Sequence, residues 1–155
     1  MVIFMLTLAG NIFDIRTTYP ICIPVNGVVK HDGNLVMGAG LALEAVRVFP
    51  ELPSVLGKMV LEQGNRTFYL KDLNIFSFPT KEHFKDKSSL NLIRKSAEET
   101  LEIMNAYDIG TVCVPKLGCG LGGLDWEREV RPVIKEILTD RVILCLEFNV
   151  KKNNS

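Results

Sequence analysis

Val114-Pro115-Lys116-Leu117-Gly118-Cys119-Gly120-Leu121-Gly122-Gly123-Leu124-Asp125-Trp126-Glu127 is the stretch on which the reading of this chain turns. It begins where a short apolar strand, Thr111–Val114, ends. Glycine is then repeated through the loop Pro115–Leu124. Asp125 suits the N-cap of a following helix, and Trp126, Val130, Val133, Ile134 and Ile137 fall on one face of it. A strand, a glycine loop and a helix in this order gather backbone N–H groups beside the positive end of a helix dipole. Glycine admits positive φ and lets a ligand approach the main chain. A pyrophosphate is the natural guest.

A second loop of the same kind precedes it in the chain. Met37-Gly38-Ala39-Gly40-Leu41-Ala42 follows the apolar run Ile21–Val25, the pair Asn26-Gly27 and a polar turn over Lys30–Asn34, and it opens a helix that Pro50 stops. Neither loop continues into Gly-Lys-Ser/Thr, and neither completes G-x-G-x-x-G in the first strand–helix unit. One G-x-G before a helix is ordinarily a tight turn. Two such loops after different strands carry more weight, because ligands of open α/β sheets bind beyond the carboxyl ends of the strands.

The remaining pattern also alternates. Val2–Leu8 reads as a buried strand, Leu52–Glu62 as a helix, Thr67–Leu70 and Leu73–Phe78 as strands, and Val142–Phe148 as a final strand. Ser89–Ala106 reads as a helix, with Leu90, Ile93, Ala97, Leu101 and Met104 on one face. This alternation predicts a mainly parallel or mixed sheet covered by helices on both sides. The 155 residues, 47% of them hydrophobic, suit one domain over 1–150 and a disordered polar tail over 151–155.

A formal net charge of zero argues against strong non-specific binding to nucleic acid or acidic membranes. It leaves room for a local cluster such as Lys81, Lys85 and Lys87. Of the four cysteines, Cys22, Cys113 and Cys145 sit in apolar runs, and no pair has metal-ligand spacing. No metal and no cofactor is expected. Met1–Leu8 lacks the basic start and cleavage site of a leader, and no apolar run approaches the roughly 20 residues that span a bilayer. A cytoplasmic monomer with no membrane partner is the expectation.

In these stretches the chain resembles the macro domains, and the likeness covers nearly its whole length. Leu6-Thr7-Leu8-Ala9-Gly10-Asn11-Ile12 is similar to the family's first strand with its Gly-Asp-Ile ending, Asn11 standing for the aspartate. Pro24-Val25-Asn26-Gly27 with Met37–Ala42 is similar to the loop around the distal ribose, and Val114–Glu127 to the diphosphate loop. Phe78-Pro79-Thr80-Lys81-Glu82-His83-Phe84 is similar to the subgroup that holds the terminal ADP-ribose glycohydrolase and the DNA ADP-ribosyl glycohydrolase antitoxin, in which a lysine after threonine carries out the chemistry. Gly122 stands where the terminal glycohydrolase has an acid, and Val29 where the DNA-specific relative has an asparagine.

The resemblance implies a three-layer α/β/α macro domain with a mixed central sheet that binds ADP-ribose, or ADP-ribosylated DNA or protein. It implies that Gly10, Asn11, Ile12 and Phe148 hold adenine, and that Leu117, Gly118, Cys119, Gly120, Leu121 and Gly122 hold the diphosphate through N–H groups. Asn26, Met37, Gly38, Ala39, Gly40 and Leu41 would fix the distal ribose, and Lys81 would act at its anomeric carbon, with His83 or Asn26 assisting. Each residue also has a plainer reading: Lys81 as a surface lysine, His83 and His31 as loop residues, Asn26-Gly27 as a turn, Phe148 as core. Three functions fit: a hydrolase that removes ADP-ribose from a nucleobase or a carboxylate, a non-catalytic reader of ADP-ribose, and a phosphatase for ADP-ribose 1″-phosphate. An unrelated nucleotide-binding protein is a fourth, and it would bind ADP and ADP-ribose alike.

Overall fold

The computed structural model describes residues 5–146. In chain order the elements are β1 (Leu6–Ala9), α1 (Ile12–Ile15), β2 (Ile21–Val25), α2 (Gly40–Val48), α3 (Leu52–Gln63), β3 (Phe68–Leu70), β4 (Ile75–Pro79), α4 (Leu90–Ala106), β5 (Val112–Val114), α5 (Arg131–Leu138) and β6 (Val142–Leu146). A 3-10 turn at Gly120–Gly122 and a π-helical turn at Trp126–Val130 lie between β5 and α5.

The six strands form one sheet in the order β1-β6-β5-β2-β4-β3. All neighbours are parallel except β3, which runs antiparallel to β4. The expected mixed sheet is thus present, with its single antiparallel strand at one edge. Parallel strands need both faces covered, and alternate side chains meet that need. Ile21, Ile23, Ile75, Cys113, Ile143 and Cys145 pack in one core with Ile12, Ala45, Leu52 and Leu56 from α1, α2 and α3. Cys22, Phe76, Phe78, Val112, Val142 and Leu144 pack in the other with Ile93, Ala97, Met104 and Ile134 from α4 and α5. The three-layer α/β/α arrangement follows.

Helix starts obey the side chains the sequence offers. Ser89 caps α4 by accepting the Leu92 N–H at 3.2 Å. Asp125 accepts the Arg128 N–H at 2.9 Å, while Glu129 reaches back to the Asp125 N–H at 3.0 Å. The reciprocal partner stands four residues on, not three as in the usual capping box, because the turn between them is the wider π turn.

Three expectations are corrected. The first strand was expected over Val2–Leu8 and buried; the described strand is Leu6–Ala9, and all four residues are exposed, Leu6 to 71%. Among the described residues it is an edge strand paired with β6 alone, while Val2–Phe4 lie outside them. The strand expected over Leu73–Phe78 begins at Ile75, because Lys71–Asn74 form the hairpin turn: Leu73 and Asn74 donate to Leu70 and Lys71, and Asn74 takes φ 58°. The helix expected from Asp125 onward is split into the π turn and α5. No described helix is long and apolar enough to cross a membrane.

Candidate functional site

The carboxyl ends of β2, β4 and β5 share one rim of the sheet, and a cleft of about 790 Å³ opens there. The sheet itself makes room for it. Pairing between β2 and β5 ends at Ile21↔Cys113, whereas β2 stays paired with β4 through Val25↔Pro79. Pro24 stands at this fork. Ile21 donates its N–H toward β4, so by alternation the ring nitrogen of Pro24 faces the β5 side, where no ladder bond remains to be lost. A proline is therefore tolerated inside a central strand, and the strands part to form the crevice.

The first wall is the loop Val36–Ala39 and the start of α2. Asn26, at the end of β2, is 8% exposed and lines the cleft. Its amide donates to Val36 O and accepts the Val28 N–H, both at 2.9 Å. It therefore clamps the far end of this loop against β2. Helix α2 has no side-chain cap, so the N–H groups of Gly40, Leu41 and Ala42 have no partner in the helix. They point their positive end into the cleft lined by the same residues.

The second wall is the glycine loop after β5. Inside it Cys119 donates its N–H to Lys116 O and Leu124 to Gly118 O. The N–H groups of Gly118, Gly120 and Leu121 donate to no protein acceptor among the described residues. Free N–H groups in a glycine turn are suited to an anion.

Lys81 follows β4 on the floor between the walls. Thr80 fixes its position on both sides: the Thr80 N–H donates to Val25 O at 3.0 Å, and Thr80 O accepts the Ser89 N–H at 2.8 Å. Lys81 lines the cleft and is half-buried. No ion pair among the described residues involves Lys81, Lys85 or Lys116, although all three line the cleft. Phe84, 41% exposed, stands on the same loop with its ring stacked on His83 at 4.3 Å.

The sequence-derived site residues divide clearly. Asn26, Met37, Gly38, Ala39, Gly40, Leu41, Lys81, Gly118, Cys119, Gly120, Leu121 and Gly122 are brought together in the lining. His83 is not among the lining residues; its Nδ1 accepts the Lys85 N–H at 3.1 Å. Leu117 and Ile12 are fully buried in the cores. Gly10 and Asn11 sit on the same rim, beyond β6 and two strands from β5, outside the lining. Asn11 spends its side-chain oxygen on the Phe13 N–H at 2.8 Å, as the cap of α1. Phe148 lies outside the described residues. The sequence reading missed Ser88, which lines the cleft; Pro24, Thr80, Phe84 and Lys85 also line it and stood in the quoted motifs and lysine cluster without being assigned a role of their own.

The thiols are inert by placement. Burial pushes Cys113 up to about 12 and raises Cys22 further. Burial also raises Cys119, against the pull of Lys116. These thiols stay protonated in the fold, so their share of stability is present below the usual thiol range and is lost as the pH rises through it toward about 12. The native protein is expected to react slowly with a disulfide reagent at about pH 8, Cys119 first, with all four cysteines reacting at once in denaturant. Rapid native labelling of Cys22 or Cys113 would contradict this placement.

Parallel strands that part over a lysine, between two rows of free N–H groups, define an α/β protein built to hold an anionic ligand at the carboxyl rim of its sheet. The macro domain family model matches residues 33–133. The chain belongs to the macro domain family. It is 34% identical over 103 residues to the DNA ADP-ribosyl glycohydrolase of Mycobacterium tuberculosis, covering 59% of this chain and 29% of that protein. It is 34% identical over 128 residues to a DNA ADP-ribosyl transferase-DNA ADP-ribosyl glycohydrolase fusion protein of Thermosipho africanus, covering 67% of this chain and 33% of that one. The chain thus spans about a third of the length of the curated relatives it matches. Among solved structures, the macrodomain of Mycobacterium tuberculosis DarG is similar with a TM-score of 0.76 at 27% identity, covering 94% of this chain and 98% of that chain.

Proposed function

We propose that this protein is an ADP-ribosyl glycohydrolase that binds the ADP-ribose of a modified macromolecule in the cleft and hydrolyses its bond at the distal ribose. The observation that carries the reading is Lys81, held at the end of β4 in the same cleft as both rows of free N–H groups. The diphosphate lies on Gly118–Gly122, and the loop Met37–Leu41, clamped by Asn26, surrounds the distal ribose. The adenine end points toward Gly10–Ile12. Two strand spacings separate β1 from β5, roughly 10 Å, a distance a dinucleotide-sized ligand spans.

Water supplies the incoming group. Its oxygen bonds to the anomeric carbon, the bond to the leaving nitrogen or carboxylate oxygen breaks, and that atom takes a proton. Lys81 acts at the anomeric carbon as a base or a fixed charge beside the attacking water, or as a nucleophile that first displaces the leaving group and is itself released when water breaks its bond to that carbon. The names of the relatives favour a nucleobase in DNA as the leaving group. Phe84 at the mouth supports this, because an exposed aromatic face suits a base better than a carboxylate.

The test is ADP-ribose release from thymidine-ADP-ribosylated single-stranded DNA and from glutamate-ADP-ribosylated protein, beside calorimetric binding of free ADP-ribose. Release from DNA is the expected result. Release from the protein alone would move the substrate to carboxylates. Binding with no release from either would leave a reader, and phosphate release from ADP-ribose 1″-phosphate would then identify the phosphatase.

A further inference from the structure

Ser88 closes the Lys81 loop and lines the cleft. It is 8% exposed, and its Oγ is buried without a hydrogen-bond partner. Most buried hydroxyls are paired, and one that is not forfeits its hydration without return. The position of this hydroxyl suggests what it serves. The Ser88 N–H donates to Gly122 O at 2.9 Å, so the residue is fastened beneath the second glycine loop. A Cβ on Gly122 would collide with Ser88 Oγ, and one on Gly118 would lie 3.2 Å from Ser88 Cβ. The hydroxyl thus occupies the room that Gly122 leaves.

In this loop the N–H groups of Gly118, Gly120 and Leu121 likewise have no partner among the described residues. The Ser88 hydroxyl has no acceptor within reach, and an anionic oxygen would serve it and these N–H groups together. We propose that Ser88 Oγ–H is a further donor to a phosphate oxygen of the ligand, reaching the diphosphate from beneath the glycine loop. This rests on the proposed binding of ADP-ribose in the cleft. Because Oγ is sealed from water, the turn Gly120–Gly122 must lift slightly for the phosphate to meet it. Gly118 and Gly120, at φ 75° and 70°, are the points at which the loop can give.

The experiment measures calorimetric affinity for ADP-ribose and for ADP, together with thermal unfolding, in the wild type, Ser88→Ala and Ser88→Cys. A hydrogen bond to a charged oxygen predicts a loss of roughly ten- to a hundredfold in Ser88→Ala. The loss is the same for both ligands, because they share the diphosphate. The unfolding temperature stays level or rises, since the substitution removes a buried hydroxyl that had no partner. Ser88→Cys keeps the shape, weakens the donor and loses affinity in the same direction. Unchanged affinity in Ser88→Ala overturns the proposal. So does weaker binding accompanied by a clear fall in unfolding temperature, which marks a packing role, or a loss confined to ADP-ribose, which marks contact with the distal ribose. Full binding by Ser88→Cys overturns it too, since shape alone would then suffice. Failure of the wild type to bind either ligand refutes the cleft reading itself, which the unsubstituted protein reveals before any variant is compared.

Discussion

Lys81→Ala is expected to lower the rate of ADP-ribose release by about a thousandfold or more, roughly 4 kcal/mol of barrier, while free ADP-ribose still binds within about threefold. The expectation rests on three features. Lys81 lines the cleft between the two walls that carry free N–H groups. Its main chain is fixed by Thr80, whose N–H and carbonyl bind Val25 and Ser89, and by its own carbonyl, which accepts from Asn65 Nδ2 at 3.3 Å. Its ammonium belongs to no ion pair among the described residues, so truncation breaks no structural contact of that kind. The unfolding temperature should therefore stay near that of the wild type. Lys81→Arg separates the possible roles. Arginine keeps the charge and cannot give up its proton. Partial recovery by arginine would identify a fixed charge, and none would identify a nucleophile or base. Release that persists in Lys81→Ala at the wild-type rate would remove Lys81 from the mechanism.

Gly57→Ala is expected to be the most destabilising small change in the described fold. Gly57 lies in α3 and is buried. A Cβ there would run into the carbonyl oxygen of Gly33 and stand 3.0 Å from the Leu35 nitrogen. These are backbone atoms on a tethered loop: the Gly33 N–H donates to Lys30 O and the Leu35 N–H to Pro53 O, each at 2.9 Å. The alanine gains about 1 kcal/mol of helix propensity but must push the loop away from the helix. Overpacking of this kind costs about 1–3 kcal/mol and occasionally more, and here no flexible side chain can yield. A net loss of about 2 kcal/mol is expected, a fall of roughly 4–8 °C in unfolding temperature for a chain of this size. The same loop continues into Val36 and Met37 of the first wall, so ADP-ribose affinity should fall as well. Gly110→Ala is the control, since nothing lies within 4 Å of its added Cβ; it should stay within about 0.5 kcal/mol of the wild type. Equal unfolding temperatures for the two variants would show that the loop moves freely.

What could be read from the sequence was what a residue announces locally. The helical spacing of Leu90, Ile93, Ala97, Leu101 and Met104 marked α4, and glycine spacing marked both walls of the cleft. The role of Ser88 was not legible, because its meaning comes from Gly118 and Gly122 some 30 residues away. The role of Pro24 was hidden for a similar reason: only the sheet order shows that its missing N–H faces the fork. His83 was legible as a residue type but not in its orientation, which follows from the bond its ring accepts from Lys85. The π turn was invisible because the wider turn leaves the apolar stripe of Trp126, Val130, Val133 and Ile134 intact.

The pairing of β2 with β4 carries a last consequence. A strand buried on both sides has no polar face to tell it which way to turn, so hydrophobicity alone cannot detect a slip of one residue. Here volume supplies the missing signal. Cys22 stands opposite Phe76 and Pro24 opposite Phe78, while Ile21 and Ile23 stand opposite Ile75 and Ser77. Each large ring on one side of the sheet is thus matched to a slim neighbour. Sliding β2 by one place would set isoleucines beside the phenylalanines and a cysteine beside Ile75 or Ser77, overfilling one core and hollowing the other. The two cores act as a gauge with unequal slots, and the strand that carries Asn26 to the cleft fits it in one position.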